Sequence, residues 1–95
     1  MSESKPSVTH NAESSRFEID DPGGLAVLEY LRDGDRVVMT HTEVPQALEG
    51  RGYGSALAEA ALAWVRESGL RVVPACPFVH AFVRRNRDYQ DLIAA

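Results

Sequence analysis

Glu49-Gly50-Arg51-Gly52-Tyr53-Gly54-Ser55 stands between a strand-like run and a helix-like one, and its reading decides the fold. Before it, Arg36 to about Val44 alternates. Val37, Met39, His41 and Glu43 share one face, and Val38, Thr40, Thr42 and Val44 the other. Pro45 closes that strand. After it the period turns helical, from about Gly50 to Ser68. Tyr53, Ala56, Leu57, Ala60, Ala61, Trp64 and Val65 form one stripe, and Gly69 suits the position after the last turn.

A glycine loop that leads from a strand into a helix has a chemical use. The first helical turn carries backbone N–H groups without intrahelical acceptors and the positive end of the helix dipole. Glycines remove side chains, so a diphosphate can approach those N–H groups closely. Arg51 adds a cation beside the same anion. The expectation is a phosphate-bearing ligand on residues 50–55. A nucleotide P-loop is excluded, because no Lys-Ser or Lys-Thr pair follows the glycines. The dinucleotide fingerprint fails as well, since Ser55 occupies its third glycine position. The structural alternative is a glycine-rich helix start packed tightly under a sheet.

Outward from the loop the rest of the fold follows. Phe17 and Ile19 alternate with Arg16 and Glu18 as a half-buried strand, and Asp20 to Gly24 reads as a turn. Leu25 to Arg32 is a second strand, apolar on both faces, and Asp33-Gly34 signals a type I′ hairpin into the third. Leu70 to Ala75 is a compact apolar strand. Beyond Pro77, Phe78, Val79, Phe82 and Val83 are spaced as one face of a short helix, and Tyr89, Leu92 and Ile93 form an apolar tail. The order is β-β-β-α-β-α, an α/β (α+β) mixed sheet. Its fourth strand lies parallel to the third through a right-handed crossover.

Ninety-five residues give room for one domain with a core near the lower limit of independent stability. Residues 1–13 are polar and Ser-rich, and read as a disordered tail before a domain over 14–95. No apolar run approaches the roughly 20 residues that span a bilayer, and the N-terminus lacks a signal's apolar stretch. The single cysteine, Cys76, suits a reducing compartment, so a cytoplasmic protein is expected. A net charge of −4 argues against nucleic acid or an anionic membrane as partner. Arg84, Arg85 and Arg87 depart from that balance, as a solvated charged segment or as an anion contact.

The chain also resembles a known family. Gly52-Tyr53-Gly54 fits the last positions of the GNAT acetyltransferase phosphate loop. The short, single-domain GNAT-like acetyltransferases are closer still, on three blocks in order. These are His41-Thr42-Glu43-Val44-Pro45, the glycine loop, and Val73-Pro74-Ala75-Cys76-Pro77-Phe78-Val79; Asn86 and Tyr89 close a resemblance that covers about residues 15 to 93.

The resemblance implies a minimal GNAT-like sheet flanked by helices and splayed between the third and fourth strands, with acetyl-CoA in the splay. Pantetheine would pair near Glu43 and Val44. The diphosphate would sit on Arg51, Gly52, Tyr53, Gly54 and Ser55, and Arg85 and Asn86 would reach the 3′-phosphate or adenine end. No metal is implied. Glu49 stands where larger members carry Gln or Arg, so its side chain is expected to point away. The N-terminal strand and helices that shape the acceptor pocket in larger members have no counterpart in this reading.

Acetyl transfer to an amine needs an uncharged nucleophile and stabilisation of a developing oxyanion. Cys76 lies where a helix N-terminus would lower its pKa, so an acetyl-cysteine intermediate is one route and a small apolar core residue the other reading. His41 and Glu43 share a strand face, and either could deprotonate an ammonium; His41 could also activate Cys76 across the splay. Structural hydrogen bonding for His41 and simple solvation for Glu43 are the alternatives. The expectation is an acetyl-CoA-dependent N-acetyltransferase, monomeric or weakly dimeric, with an unidentified amine acceptor. The alternative is a non-catalytic acyl-CoA-binding or protein-interaction module of the same fold.

Overall fold

The structure, a computed structural model, describes residues 6–94. Among these, five strands form one sheet in the order of the chain: β1 (Thr9–Asn11), β2 (Arg16–Asp21), β3 (Gly24–Asp33), β4 (Arg36–Glu43) and β5 (Arg71–Pro74). The first three pairings are antiparallel and β4–β5 is parallel. Two helices, α1 (Tyr53–Glu67) and α2 (Pro77–Arg85), follow β4 and β5. No helix is long and apolar enough to cross a membrane.

Local chemistry sets the turns. Asp21 pairs with Gly24 across Pro22-Gly23, and the Asp21 carboxylate accepts the Gly23 N–H at 2.9 Å. The next hairpin is shifted from the expectation. Asp33 pairs with Arg36, so Gly34 and Asp35 are the central residues, and only Gly34 has positive φ, +63°. That is the pattern of a glycine-first II′ turn rather than the I′ turn expected of Asp33-Gly34.

Helix α1 ends as its sequence asks. Gly69 takes φ +71°, its N–H bonds the Arg66 carbonyl at 3.2 Å, and the Leu70 N–H bonds the Val65 carbonyl at 2.9 Å. These are the two bonds of a Schellman cap. The face it buries carries Leu57, Ala58, Ala61, Leu62 and Val65, each 0% exposed. They join Phe17, Ile19, Leu28, Tyr30, Val37, Met39 and Val72 of the sheet, with Val79, Phe82 and Val83 of α2, in one core. Full burial of each Leu or Val stabilises by roughly 1.5–3 kcal/mol, and the alanines let the helix axis lie close to the sheet.

The tail expected over residues 1–13 is corrected from Thr9 onward; residues 1–5 lie outside the described residues. Thr9, His10 and Asn11 pair with Glu18, Phe17 and Arg16. His10 stacks on Phe17 with centroids 4.1 Å apart and sets its edge to Trp64 at 4.6 Å. Its Nε2 lies 2.6 Å from the Tyr30 hydroxyl. The strand therefore rests on aromatic partners far along the chain, which a polar local sequence does not announce.

Two features position the cleft. Glu29 pairs with His41 and Tyr30 with Met39, so Thr40 has no partner and β4 carries a bulge. The bulge reverses the alternation: Met39 and Thr42 share the core face, while His41 and Glu43 point to the other. The β4–β5 pairing then stops at Met39–Pro74. Pro74 has no N–H to continue it, the Ala75 N–H turns back to the Val73 carbonyl at 2.9 Å, and the Cys76 N–H makes a last bond to Met39 at 2.8 Å. Beyond that point the two chains part.

Candidate functional site

Where β4 and β5 separate, a cavity of about 510 Å³ opens between the end of β4, the glycine loop and the start of α2. Thr42, Glu43 and Val44 line it from the strand, Gly52, Tyr53, Gly54 and Ser55 from the loop, and Phe78 from α2. The sequence places a ligand on these same loop residues, and the fold gathers them around one space.

The glycines there answer two demands. Gly52 is the residue before α1 with φ +79°, a left-handed conformation that disfavours any side chain. Gly54 is constrained by contact instead, because a Cβ would lie 2.9 Å from Cζ of Phe78. The first helical bond runs from the Ala56 N–H to the Gly52 carbonyl at 3.0 Å. The N–H groups of Tyr53, Gly54 and Ser55 therefore stand ahead of the helix's own ladder, at the positive end of its dipole. A diphosphate is the chemistry this arrangement suits. Glu49, an exposed residue, is also among those that border the cavity.

Cys76 is 4% exposed and immediately precedes α2. Its Sγ lies 3.4 Å from Thr42 Oγ1. Burial pushes the thiol up, but the Thr42 hydroxyl and the N–H groups of Val79, Phe78 and Thr42 outweigh it and leave the thiol below its ordinary value. His41 does not reach this thiol. Its Nε2 lies 3.2 Å from Glu43 Oε1, both side chains are exposed, and the bulge sets them on the opposite face of β4. The sequence thus finds Cys76 but misses its partner: regular alternation sets Thr42 apart from Met39, and the bulge reunites them.

Arg85 and Asn86 are not brought to the cleft. Arg85 is exposed in the last turn of α2 and lines a separate hollow with His80, Ala81 and Arg84. Asn86 caps that helix, its amide donating to the Phe82 carbonyl at 2.8 Å. Tyr89 is half-buried against Phe82, ring centroids 5.9 Å apart, as a core residue. No group of His, Cys, Asp and Glu among the described residues could hold a metal ion.

Sequence reasoning also treats Asp21 as a turn residue only. In the structure its Oδ1 accepts the Tyr53 hydroxyl at 2.7 Å, tying β2 to the first residue of α1.

The fold has relatives among known proteins. A family model described as GCN5-related N-acetyl-transferase matches residues 16–92. Protein NATD1 of Bos taurus is 47% identical over 82 residues, spanning 83% of this chain and 73% of that protein. Protein NATD1 of Homo sapiens is 44% identical over the same shares. The solution NMR structure of a GCN5-like protein from Staphylococcus aureus superposes with a TM-score of 0.75 at 26% identity, covering 94% of this chain and 88% of that one.

Proposed function

The chain belongs to the GCN5-related N-acetyltransferase family, and from that premise we propose that it binds acetyl-CoA in the β4–α1–α2 cleft and transfers the acetyl group to an amine. The observation that carries this reading is the loop. Tyr53, Gly54 and Ser55, whose N–H groups precede the helix's own ladder, line the same cavity as the unpaired end of β4, and Arg51 adjoins them in the sequence of the loop. The diphosphate seats on the loop, and the pantetheine amides take the backbone of Glu43 and Val44, which β5 leaves free.

For the chemistry, Glu43 stands at the rim of the cleft, and its side chain, 3.2 Å from His41, lies on the face of β4 opposite Cys76, from which an acceptor would approach. This pair accepts the proton of the attacking amine, and the acceptor joins acetyl-CoA directly. The nearly complete burial of Cys76 favours direct transfer over attack by the thiol. One observation supports the covalent route as a second reading: Thr42 and the first N–H groups of α2 pull the thiol below its ordinary pKa despite burial. Arg84 and Arg85 line a separate hollow with His80 and Ala81, so the reading of the cleft does not draw on Arg85. A non-catalytic acyl-CoA-binding module shares every binding feature and lacks only the turnover.

Calorimetry with acetyl-CoA tests the reading, with Ser55→Asp as the control. An aspartate in the first turn favours the helix through its dipole, so lost binding would report the ligand rather than the fold. Binding by wild type and its loss in the variant support the site; release of CoA with an amine panel then separates enzyme from module. Folded wild-type protein that takes up no acetyl-CoA at millimolar concentration refutes the proposal.

A further inference from the structure

The β2–β3 turn is built against the glycine loop at several points. Asp21 uses both carboxylate oxygens: Oδ1 accepts from the Tyr53 hydroxyl at 2.7 Å and Oδ2 from the Gly23 N–H at 2.9 Å. The two turn glycines also pack closely against side chains that precede the loop. A Cβ on Gly23 would lie 2.8 Å from Leu48 Cδ2, and one on Gly24 2.8 Å from Pro45 Cγ. Leu48 is 1% exposed and lines the cleft, so the turn braces the chain that frames the cavity. The Tyr53 hydroxyl and the Gly23 N–H hold the Asp21 carboxyl below the usual carboxylate range, and the nearby Arg51 guanidinium adds to their effect. Asp21 raises the Tyr53 phenol in return, while Arg51 opposes the rise. Asp21, Tyr53 and Arg51 are therefore one electrostatic cluster, of which Tyr53 alone belongs to the cavity lining.

Resting on the reading of the cleft as an acetyl-CoA site, we propose that Asp21 is a positioning residue for the phosphate loop. It fixes Tyr53 from behind, so that the loop meets the diphosphate already arranged. Preorganisation of this kind raises affinity by sparing the ligand the cost of ordering the loop. The sign of the effect is diagnostic. Asp21 is itself an anion, and by charge alone its removal would strengthen binding of a diphosphate. A positioning role requires the reverse.

The experiment compares acetyl-CoA affinity by calorimetry in wild type, Asp21→Ala, Asp21→Asn and Tyr53→Phe. Acetyl-pantetheine, which lacks the diphosphate and nucleotide, is the second probe, followed by NMR titration. Asp21→Ala and Tyr53→Phe are expected to weaken acetyl-CoA by about tenfold, the loss of one charge-assisted hydrogen bond. Asp21→Asn keeps an oxygen for the Tyr53 hydroxyl and should bind within about threefold of wild type. Affinity for acetyl-pantetheine should not change in any of them, which a merely misfolded loop would not reproduce. Should Asp21→Ala fail to fold, Tyr53→Phe carries the test, because it removes a single oxygen and keeps the ring. Wild-type affinity in Tyr53→Phe, or tighter binding in a folded Asp21→Ala, overturns the positioning role. An absence of acetyl-CoA binding in wild type refutes the underlying reading as well.

Discussion

Thr42 Oγ1 lies 3.4 Å from Cys76 Sγ, and the contact exists because Thr40 has no partner on β3. Without that extra residue, the strict alternation of the numbered chain would put Thr42 opposite Met39 and His41 beside it. With it, β4 presents two chemistries on two faces. A hydroxyl bonded to a buried thiol faces the core, and an exposed imidazole–carboxylate pair faces away.

That separation makes the two transfer routes distinguishable. Direct transfer predicts that Cys76→Ala keeps kcat within a few-fold of wild type, while Glu43→Gln lowers it by roughly a hundredfold, the ordinary worth of a general base. An acetyl-cysteine route predicts the opposite ranking, with a labelled acetyl group on Cys76 after brief mixing. Steady-state rates of the two variants with one amine acceptor decide between them.

The Cys76–Thr42 contact has its own signature. Burial raises the thiol, and the Thr42 hydroxyl is the strongest of the groups that offset it. Thr42→Val removes that hydroxyl while keeping the side-chain shape, so the thiol pKa should rise. The pH dependence of alkylation by iodoacetamide should move upward in the variant, with the fold unchanged by circular dichroism. An unmoved profile would mean that the N–H groups of Phe78 and Val79 suffice alone.

Much of this arrangement is legible in local sequence, and the reasons for the rest are specific. Gly52, Gly54 and Gly69 mark the two ends of α1 because backbone conformation or close contact demands them there. Pro77 marks the start of α2, whereas the end of the strand pairing at Pro74 falls inside the run Leu70 to Ala75 that reads as one strand. The bulge at Thr40 has no such marker, since any residue can be left unpaired in a ladder. The strand Thr9–Asn11 is hidden for another reason: His10 is held by Phe17, Tyr30 and Trp64, and the last is 54 positions away in the numbering of the sequence. The bond from Asp21 to Tyr53 likewise joins residues that only the closed sheet brings together.

The aromatic seat of His10 gives stability a pH dependence. Burial lowers the His10 pKa below 6.5, so the folded state binds its proton less readily than the unfolded chain does. Its contribution is complete above the unfolded value. It declines as pH falls from about 6.5 to the lower folded pKa, where the unfolded state holds the extra proton. Urea denaturation across that window should show a slope for wild type that His10→Gln flattens. Equal slopes in the two proteins would show that another group sets the dependence.

Gly54 and Phe78 offer a test of how tightly the floor of the cleft is packed. Ala is favoured over Gly within a helix by about 1 kcal/mol, so Gly54→Ala would stabilise α1 if the site were open. It is not open: the new methyl would lie 2.9 Å from Phe78 Cζ and 3.3 Å from two further ring carbons. The ring must turn or α2 must shift, and overpacking of this kind costs typically about 1–3 kcal/mol. We therefore expect Gly54→Ala to destabilise the protein in spite of its helix propensity. Phe78→Leu alone should also destabilise, by loss of buried ring area and of the 6.3 Å stack on Phe82. Combined, the two changes should be less harmful than their sum, because the smaller side chain makes room for the methyl. A double-mutant cycle by chemical denaturation measures that coupling. Strict additivity would mean that ring and glycine do not meet in solution, and that the floor of the cleft is wider than the contact distances imply.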